Sequence, residues 1–296
     1  MLSLRAIWRS ARPSFLLLTP VMLCLALALA LSRDEPLRLE LLPWLIVSAL
    51  CAAIASNLLN EYFDFSSGLD QHTLPTPFSG GSQSLIEAPH YAELVKWVGL
   101  LCVSLSVWAG LYLVSETGWA LLILGVLGIA LLITYTPILN RHAWLCLLAP
   151  GLGYGLVIFL GSYWVLLGHL DWQGIALMPL PVFLVSALLL MNQFPDAQAD
   201  ERVGRRHAVI AWGRRRAYFV LGVLHGLSYL WLLLLSFQRG FEPLLWALIF
   251  MPVSMLLLWL GRAMMKEERV LIAMGLNVFV VLGLPTTLAL LLILLG

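Results

Sequence analysis

Apolar residues in this chain come in long blocks, not at alternating positions. Nine blocks stand out, at 14–31, 41–61, 94–115, 119–139, 143–169, 174–194, 217–237, 243–261 and 270–295. A helix needs about 20 apolar residues to cross a bilayer. Almost every charged residue falls between the blocks. The pattern predicts an all-α fold: a polytopic membrane protein with nine transmembrane helices in a bundle. The 143–169 block carries Gly151, Gly153, Gly155 and Gly161, and small residues at such spacing let helices approach closely. The first block follows Arg5, Arg9 and Arg12 and ends in Ala28-Leu29-Ala30, a sequence like a signal-cleavage site. Its apolar run is long for a signal and eight blocks follow, so a retained first helix is expected.

Composition agrees. Of 296 residues, 61% are hydrophobic and 11% charged, where a soluble domain is nearer half and a quarter. That excludes an ordinary cytosolic enzyme, a disordered chain and a nucleic-acid binder. The net charge of +1 carries no message, so its distribution has to. With nine spans, 14 of the 17 Lys and Arg fall on one side, Lys266 among them, and only Arg33, Arg38 and Arg239 on the other. The basic side is cytoplasmic, which predicts a cytoplasmic N-terminus. Cys24, Cys51, Cys102 and Cys146 all lie inside apolar blocks and are expected to be packing residues.

The acids sit at two block ends. Asn57-Leu-Leu-Asn60-Glu61-Tyr62-Phe63-Asp64 leads to Gly68 and Asp70, and Asn192-Gln193-Phe194-Pro195-Asp196 leads to Asp200. Asn60 and Asn192 are 132 residues apart, as are Asp64 and Asp196. The spacing predicts an internal repeat: two parallel four-helix units plus one helix, with both motifs at cytoplasmic helix ends. Asn and Asp four apart share a helix face. Gly68 is expected to end one helix and Pro195 to interrupt the other. Four carboxylates plus amide oxygens suit a hard cation, and two facing acidic clusters suggest a diphosphate bridged by Mg2+. Acids at membrane depth are usually functional. His72 and His207, close to the motifs, are expected to be solvated loop residues.

These motifs resemble the two aspartate-rich motifs of the UbiA superfamily of intramembrane prenyltransferases. Gly204-Arg205-Arg206, Ala211-Trp212-Gly213, Arg12-Pro13 and Tyr135-Thr136-Pro137 also look like family features. The Asp64-to-Asp70 spacing and Ser79-Gly80-Gly81-Ser82 look most like the 1,4-dihydroxy-2-naphthoate prenyltransferase branch. The chain departs from the pattern in places. Glu61 stands where many members have Asp, the 71–93 loop holds no Lys or Arg, and Gln83 stands where Arg is expected.

The resemblance implies one transmembrane prenyltransferase domain over 1–296 in a bacterial inner membrane, active at the cytoplasmic face. The implied partners are a prenyl diphosphate, an aromatic acceptor and membrane lipid, with no obligate protein partner and no nucleic acid. Asp64, Asp70, Asp196 and Asp200 would hold the metals. Asn57, Asn60 and Asn192 would orient them or take phosphate oxygens, and Arg141, Arg205 and Arg206 would supply cations. Tyr135, with Tyr62, Phe63, Phe65 and Phe194, would either shield an allylic cation or anchor the helix ends at the membrane interface. Arg214, Arg215 and Arg216 would instead set topology. The rival expectation is a transporter that uses the acids for ion coupling. No acid lies deep in blocks three, four, seven, eight or nine to mark a path for it.

Overall fold

The computed structural model describes residues 2–73, 75–262 and 267–295. Lys266, part of the charge asymmetry, lies outside them. Among the described residues, eight helices are long and apolar enough to cross a membrane. They are α1 (Pro13–Leu31), α2 (Leu39–Ser66), α3 (Pro89–Thr117), α5 (Ala143–Leu167), α6 (Trp172–Arg202), α7 (Arg214–Ser236), α8 (Glu242–Gly261) and α9 (Arg269–Leu295). The ninth expected span is the shorter apolar helix α4 (Leu121–Thr134), of 14 residues. It is shorter than its block because Tyr135-Thr136-Pro137 turns the chain, and Asn140 N–H bonds back to the Tyr135 carbonyl at 3.0 Å.

Little of this bundle is held by polar contacts. Exposed Leu, Ile, Trp and Phe cover its outside, including Trp97, Trp119, Ile123, Phe219 and Trp246. In water such a surface would aggregate, whereas in lipid it is ordinary. The main core joins α1, α5, α6 and α9 around Met22, Leu25, Phe159, Tyr163, Leu184 and Leu288. Inside lipid the hydrophobic effect does little between helices, so close packing has to supply the adhesion.

The glycines of α5 show this. A Cβ on Gly151 would lie 2.4 Å from the Val182 carbonyl oxygen, and one on Gly155 would lie 2.9 Å from the Val182 nitrogen. The α5 and α6 backbones therefore touch directly across a Gly-x-x-x-Gly pair. A Cβ on Gly153 meets nothing within 4 Å, because Gly153 faces a cavity. Around these glycines α5 widens into a π-helical stretch, Leu152–Leu160. The contact fixes α6, the helix that carries Asp196 and Asp200.

At the first motif α2 ends at Ser66, Gly68 adopts φ +77°, and a short 3₁₀ turn, Leu69–Gln71, follows. The expected break at Gly68 is present. The expected break at Pro195 is not: α6 runs on through it to Arg202. A proline removes only its own donor, here the bond to the Met191 carbonyl, and membrane helices absorb that loss when neighbours serve the freed groups. Arg214 donates to the adjacent Phe194 carbonyl at 2.8 Å, so this arginine braces α6 as well as flanking α7.

Substituting Gly155 by Val should force α5 and α6 apart. The expected cost is on the order of 1–3 kcal/mol, read as a lower melting temperature of the detergent-solubilised protein. Gly153→Ala, the control, should melt like the parent.

Candidate active site

The site begins with how the chain closes over two helix ends. After the Leu69–Gln71 turn the loop passes through Gly80 and Gly81, with φ +81° and +75°. It packs so tightly that a Cβ on Gly81 would lie 2.8 Å from Asp70 Oδ1. The loop serves both motifs at once. Ser79 Oγ and Gly80 N–H donate to the two oxygens of Asp196 at 3.2 and 3.1 Å. Ser82 N–H donates to Glu61 at 3.2 Å and its hydroxyl donates to the same carboxylate. Gln83 Nε2 pins the loop to the Asp70 and Gly80 carbonyls at 3.2 and 3.3 Å.

The second clasp follows α6. Gly204, φ +79°, turns the chain back, and Arg205 N–H bonds to the Asp200 carbonyl at 3.1 Å. Arg206 N–H then bonds to the Asn140 carbonyl at 2.9 Å, beside a parallel bridge between Ala143 and His207. In this extended stretch neighbouring side chains point opposite ways. Arg205 and His207 turn into the site and Arg206 turns out.

At the centre Arg205 joins the motifs. One guanidinium nitrogen donates to Asp200 Oδ1 at 2.8 Å and the other to Asp64. Burial opposes the charge on Arg205, but Asp64 and Asp200 outweigh it and raise its pKa. His207 Nε2 lies 3.0 Å from Asp200 Oδ2. Asn60 Nδ2 donates to Thr136 Oγ1 at 3.1 Å and lies 3.5 Å from Asp64 Oδ1. Arg12, with a left-handed φ of 48°, reaches Glu61 at 3.3 Å. Asn57 holds that turn by donating to the Ala11 carbonyl at 2.8 Å.

Asp70 differs from the others. It is 3% exposed, yet neither of its carboxylate oxygens has a partner. Burial, followed by the charges of Asp64 and Glu61, pushes its pKa up to about 7. The Asn192 Oδ1 is also buried and unpartnered. Glu61, Asp64, Asp70, Asp196 and Asp200 thus face two guanidiniums, Arg12 and Arg205. That excess of buried carboxylate suits divalent cations. Among the described residues, no three Asp, Glu, His or Cys side chains converge closely enough to hold a cation alone. Oxygens from a bound substrate would have to complete each shell, which is how Mg2+ is usually held with phosphates.

All these groups lie at one end of a cavity of about 870 Å³. Asn57, Asn60, Asp64, Asp70, Tyr135, Asn192, Asp196, Asp200 and Arg205 line it. From there it runs between the helices past Leu113, Leu121, Gly125, Val157 and Ile158, so a charged mouth opens into an apolar channel.

Some expected site residues are elsewhere. Arg141 and Arg206 are exposed and do not line the cavity. Of the expected aromatics, only Tyr135 lines it. Tyr62 donates to Glu93 at 3.1 Å under the Lys96 ammonium, and Phe194 is fully buried in a neighbouring core. Tyr62 and Phe65 sit on other faces of α2 than Asn60 and Asp64, and Phe63 does not line the cavity. Phe15 and Phe78 line the cavity instead. His207 is 2% exposed, not a solvated loop residue; His72 is exposed. Arg12 carried a signal, the Arg12-Pro13 pair. The clasp by Ser79 and Gly80 carried a signal too, the Ser79-Gly80-Gly81-Ser82 stretch, but not its reach to Asp196.

The fold is shared with solved membrane proteins. A UbiA homologue from Archaeoglobus fulgidus, determined with GPP and Mg2+, superposes with a TM-score of 0.65 at 12% identity, covering 96% of this chain and 99% of its own. A digeranylgeranylglyceryl phosphate synthase structure gives 0.64 at 14% identity over 98% of this chain and 99% of its own. In sequence, the chain is 27% identical over 252 residues to the 1,4-dihydroxy-2-naphthoate octaprenyltransferase of Bacillus subtilis (strain 168), covering 83% of this chain and 78% of that protein. The profile of the UbiA prenyltransferase family matches residues 20–282, and the chain belongs to that family.

Proposed function

We propose that this protein transfers an isoprenyl group from a prenyl diphosphate to an aromatic acceptor within the membrane, with Mg2+ as cofactor and pyrophosphate as product. The observation that carries this reading is the cavity, whose one end holds the carboxylates and Arg205 while the rest is lined mainly by apolar side chains. An amphipathic donor with a highly charged head and an apolar tail matches it end for end. The B. subtilis relative's name points to 1,4-dihydroxy-2-naphthoate as the acceptor. A transporter would not need an apolar pocket joined to a carboxylate cluster at one membrane face.

Asp64, Asp70, Asp196 and Asp200 would hold the metal ions, with Asn60 and Asn192 beside them. When bound, Mg2+ supplies charge neutralisation for the departing pyrophosphate. Arg205 and Arg12 are placed to grip phosphate oxygens through fixed guanidinium donors. The bond between prenyl C1 and oxygen breaks with its electron pair leaving on pyrophosphate. A ring carbon of the acceptor then forms the new bond to C1. The ring regains aromaticity by releasing the group it carried there, a proton in the simplest case. Tyr135, Phe15 and Phe78 shield the allylic cation from water. The whole chain forms one catalytic unit of nine membrane helices, with the site at the cytoplasmic face and α4 the short span. The repeat of four helices relates α2 to α6.

Mg2+-dependent release of pyrophosphate from geranyl diphosphate, in the presence of 1,4-dihydroxy-2-naphthoate, tests this function. Its absence would refute it. Arg205→Gln should lower kcat/KM by about 100-fold or more, the scale of losing a fixed cation at a developing anion. Arg206→Gln should stay within about threefold of the parent.

The raised pKa of Asp70 sets a pH dependence. A cation must displace the proton that Asp70 holds below about 7. Stabilisation by Mg2+ plus geranyl diphosphate, read as the melting-temperature shift in detergent, should therefore grow from pH 6 to pH 8. Asp70→Asn should make that rise shallower, because one displaced proton is gone, whereas an unchanged slope would exclude Asp70 as a ligand.

A further inference from the structure

A second polar group lines the same cavity, next to the carboxylate cluster. Gln193, Asn140, Cys146 and Tyr135 all face it. Gln193 and Asn140 are 7% and 5% exposed, and Gln193 Oε1 and Asn140 Oδ1 are both buried without a partner. Gln193 is not free to swing toward one, because its Nε2 donates to Cys146 Sγ at 3.3 Å. The same sulfur lies 3.7 Å from the Tyr135 hydroxyl. The amide is thus anchored by its nitrogen, and its oxygen is left buried and without a donor in the cavity wall.

Position adds a second constraint. Gln193 precedes Asp196 by three residues and Asp200 by seven, so all three share one stripe of α6. Gln193 sits about one turn, roughly 4.5 Å, further into the bilayer than Asp196. A diphosphate held by the carboxylates would leave prenyl C1 facing this level, where the attacking ring has to lie.

Two buried oxygens without donors are costly until something donates to them. A carboxylate or an ether cannot, whereas a ring hydroxyl can. We propose that Gln193, held by Cys146 and assisted by Asn140, is the specificity element that reads a free ring hydroxyl on the aromatic acceptor. This rests on the prenyl-transfer reading and deepens it. The hydroxyl donates to Gln193 Oε1, which orients the ring beneath C1. It also leaves more electron density on the phenolic oxygen, and so on the ring carbons that attack. Any carboxylate on the acceptor must face away from this pair.

The test uses the full chain in detergent with Mg2+ and geranyl diphosphate, transferring to 1,4-dihydroxy-2-naphthoate. Competing ligands are 2-naphthoate and its 1-hydroxy and 4-hydroxy derivatives. In the parent, the tighter hydroxylated ligand should inhibit at least about tenfold better than 2-naphthoate, because a site built for a hydroxyl penalises its absence. In Gln193→Met that ratio should fall to within about twofold, with KM for geranyl diphosphate unchanged. Cys146→Ala, which frees the amide, should reduce the ratio part-way and carries the test alone if the first variant does not fold. An undiminished ratio in the folded variants would overturn the inference while leaving prenyl transfer intact. No transfer by the parent to any hydroxylated acceptor would overturn both.

Discussion

Five carboxylates, four of them buried and Asp196 half-buried, beside a largely apolar cavity are the constraint around which the rest of this structure is arranged. Such groups are tolerated only when they are paired, hydrogen-bonded or neutralised. Each has a different answer here. Glu61 takes Arg12 and Ser82, Asp196 takes Ser79 and Gly80, and Asp64 and Asp200 share Arg205. Asp70 takes nothing. The two loops over the site, through Gly80-Gly81 and through Gly204, fold as they do because they deliver those partners. The direct contact of α5 with α6 fixes the helix they must reach. A site balanced this way is still short of positive charge. That shortage is what draws in a donor carrying its own divalent cations.

Arg205 holds the two motifs together while no donor is bound. A diphosphate accompanied by cations offers it a stronger partner than either Asp64 or Asp200. On the proposed reading, exchanging carboxylate for phosphate would free both acids for metal.

Much of this was legible in the sequence. Long apolar blocks show helices directly, since a lipid-exposed helix needs apolar residues on every side. The Asn-x-x-x-Asp motifs were legible because residues four apart share a face whatever the tertiary structure. Elements that depend on the neighbours were not. Pro195 reads as a helix break, yet the surrounding helices keep α6 continuous. Arg205 and Arg206 look equivalent, and only the pairing of 207 with 143 turns one inward. His207 reads as a loop residue because the carboxylate that receives it lies on a preceding helix. The aromatic positions of the first motif were misread for a simple reason. Tyr62, Phe63 and Phe65 adjoin the acids in sequence, but none of them lines the cavity. The 71–93 loop holds no base of its own, and the guanidinium beside it is that of Arg12, whose Arg12-Pro13 pair stood out in the sequence without showing where it would reach.

The central claim is that protein carboxylates and donor phosphates would hold the cations jointly, since among the described residues no three carboxylate, imidazole or thiol groups converge on one point. Calorimetric titration of the full-length protein with a non-hydrolysable geranyl thiolodiphosphate, with Mg2+ and with EDTA, tests it directly. The account expects strong mutual dependence: weak binding of Mg2+ alone, weak binding of the analogue in EDTA, and tight binding when both are present. Equal affinity for the analogue with and without Mg2+ would contradict it.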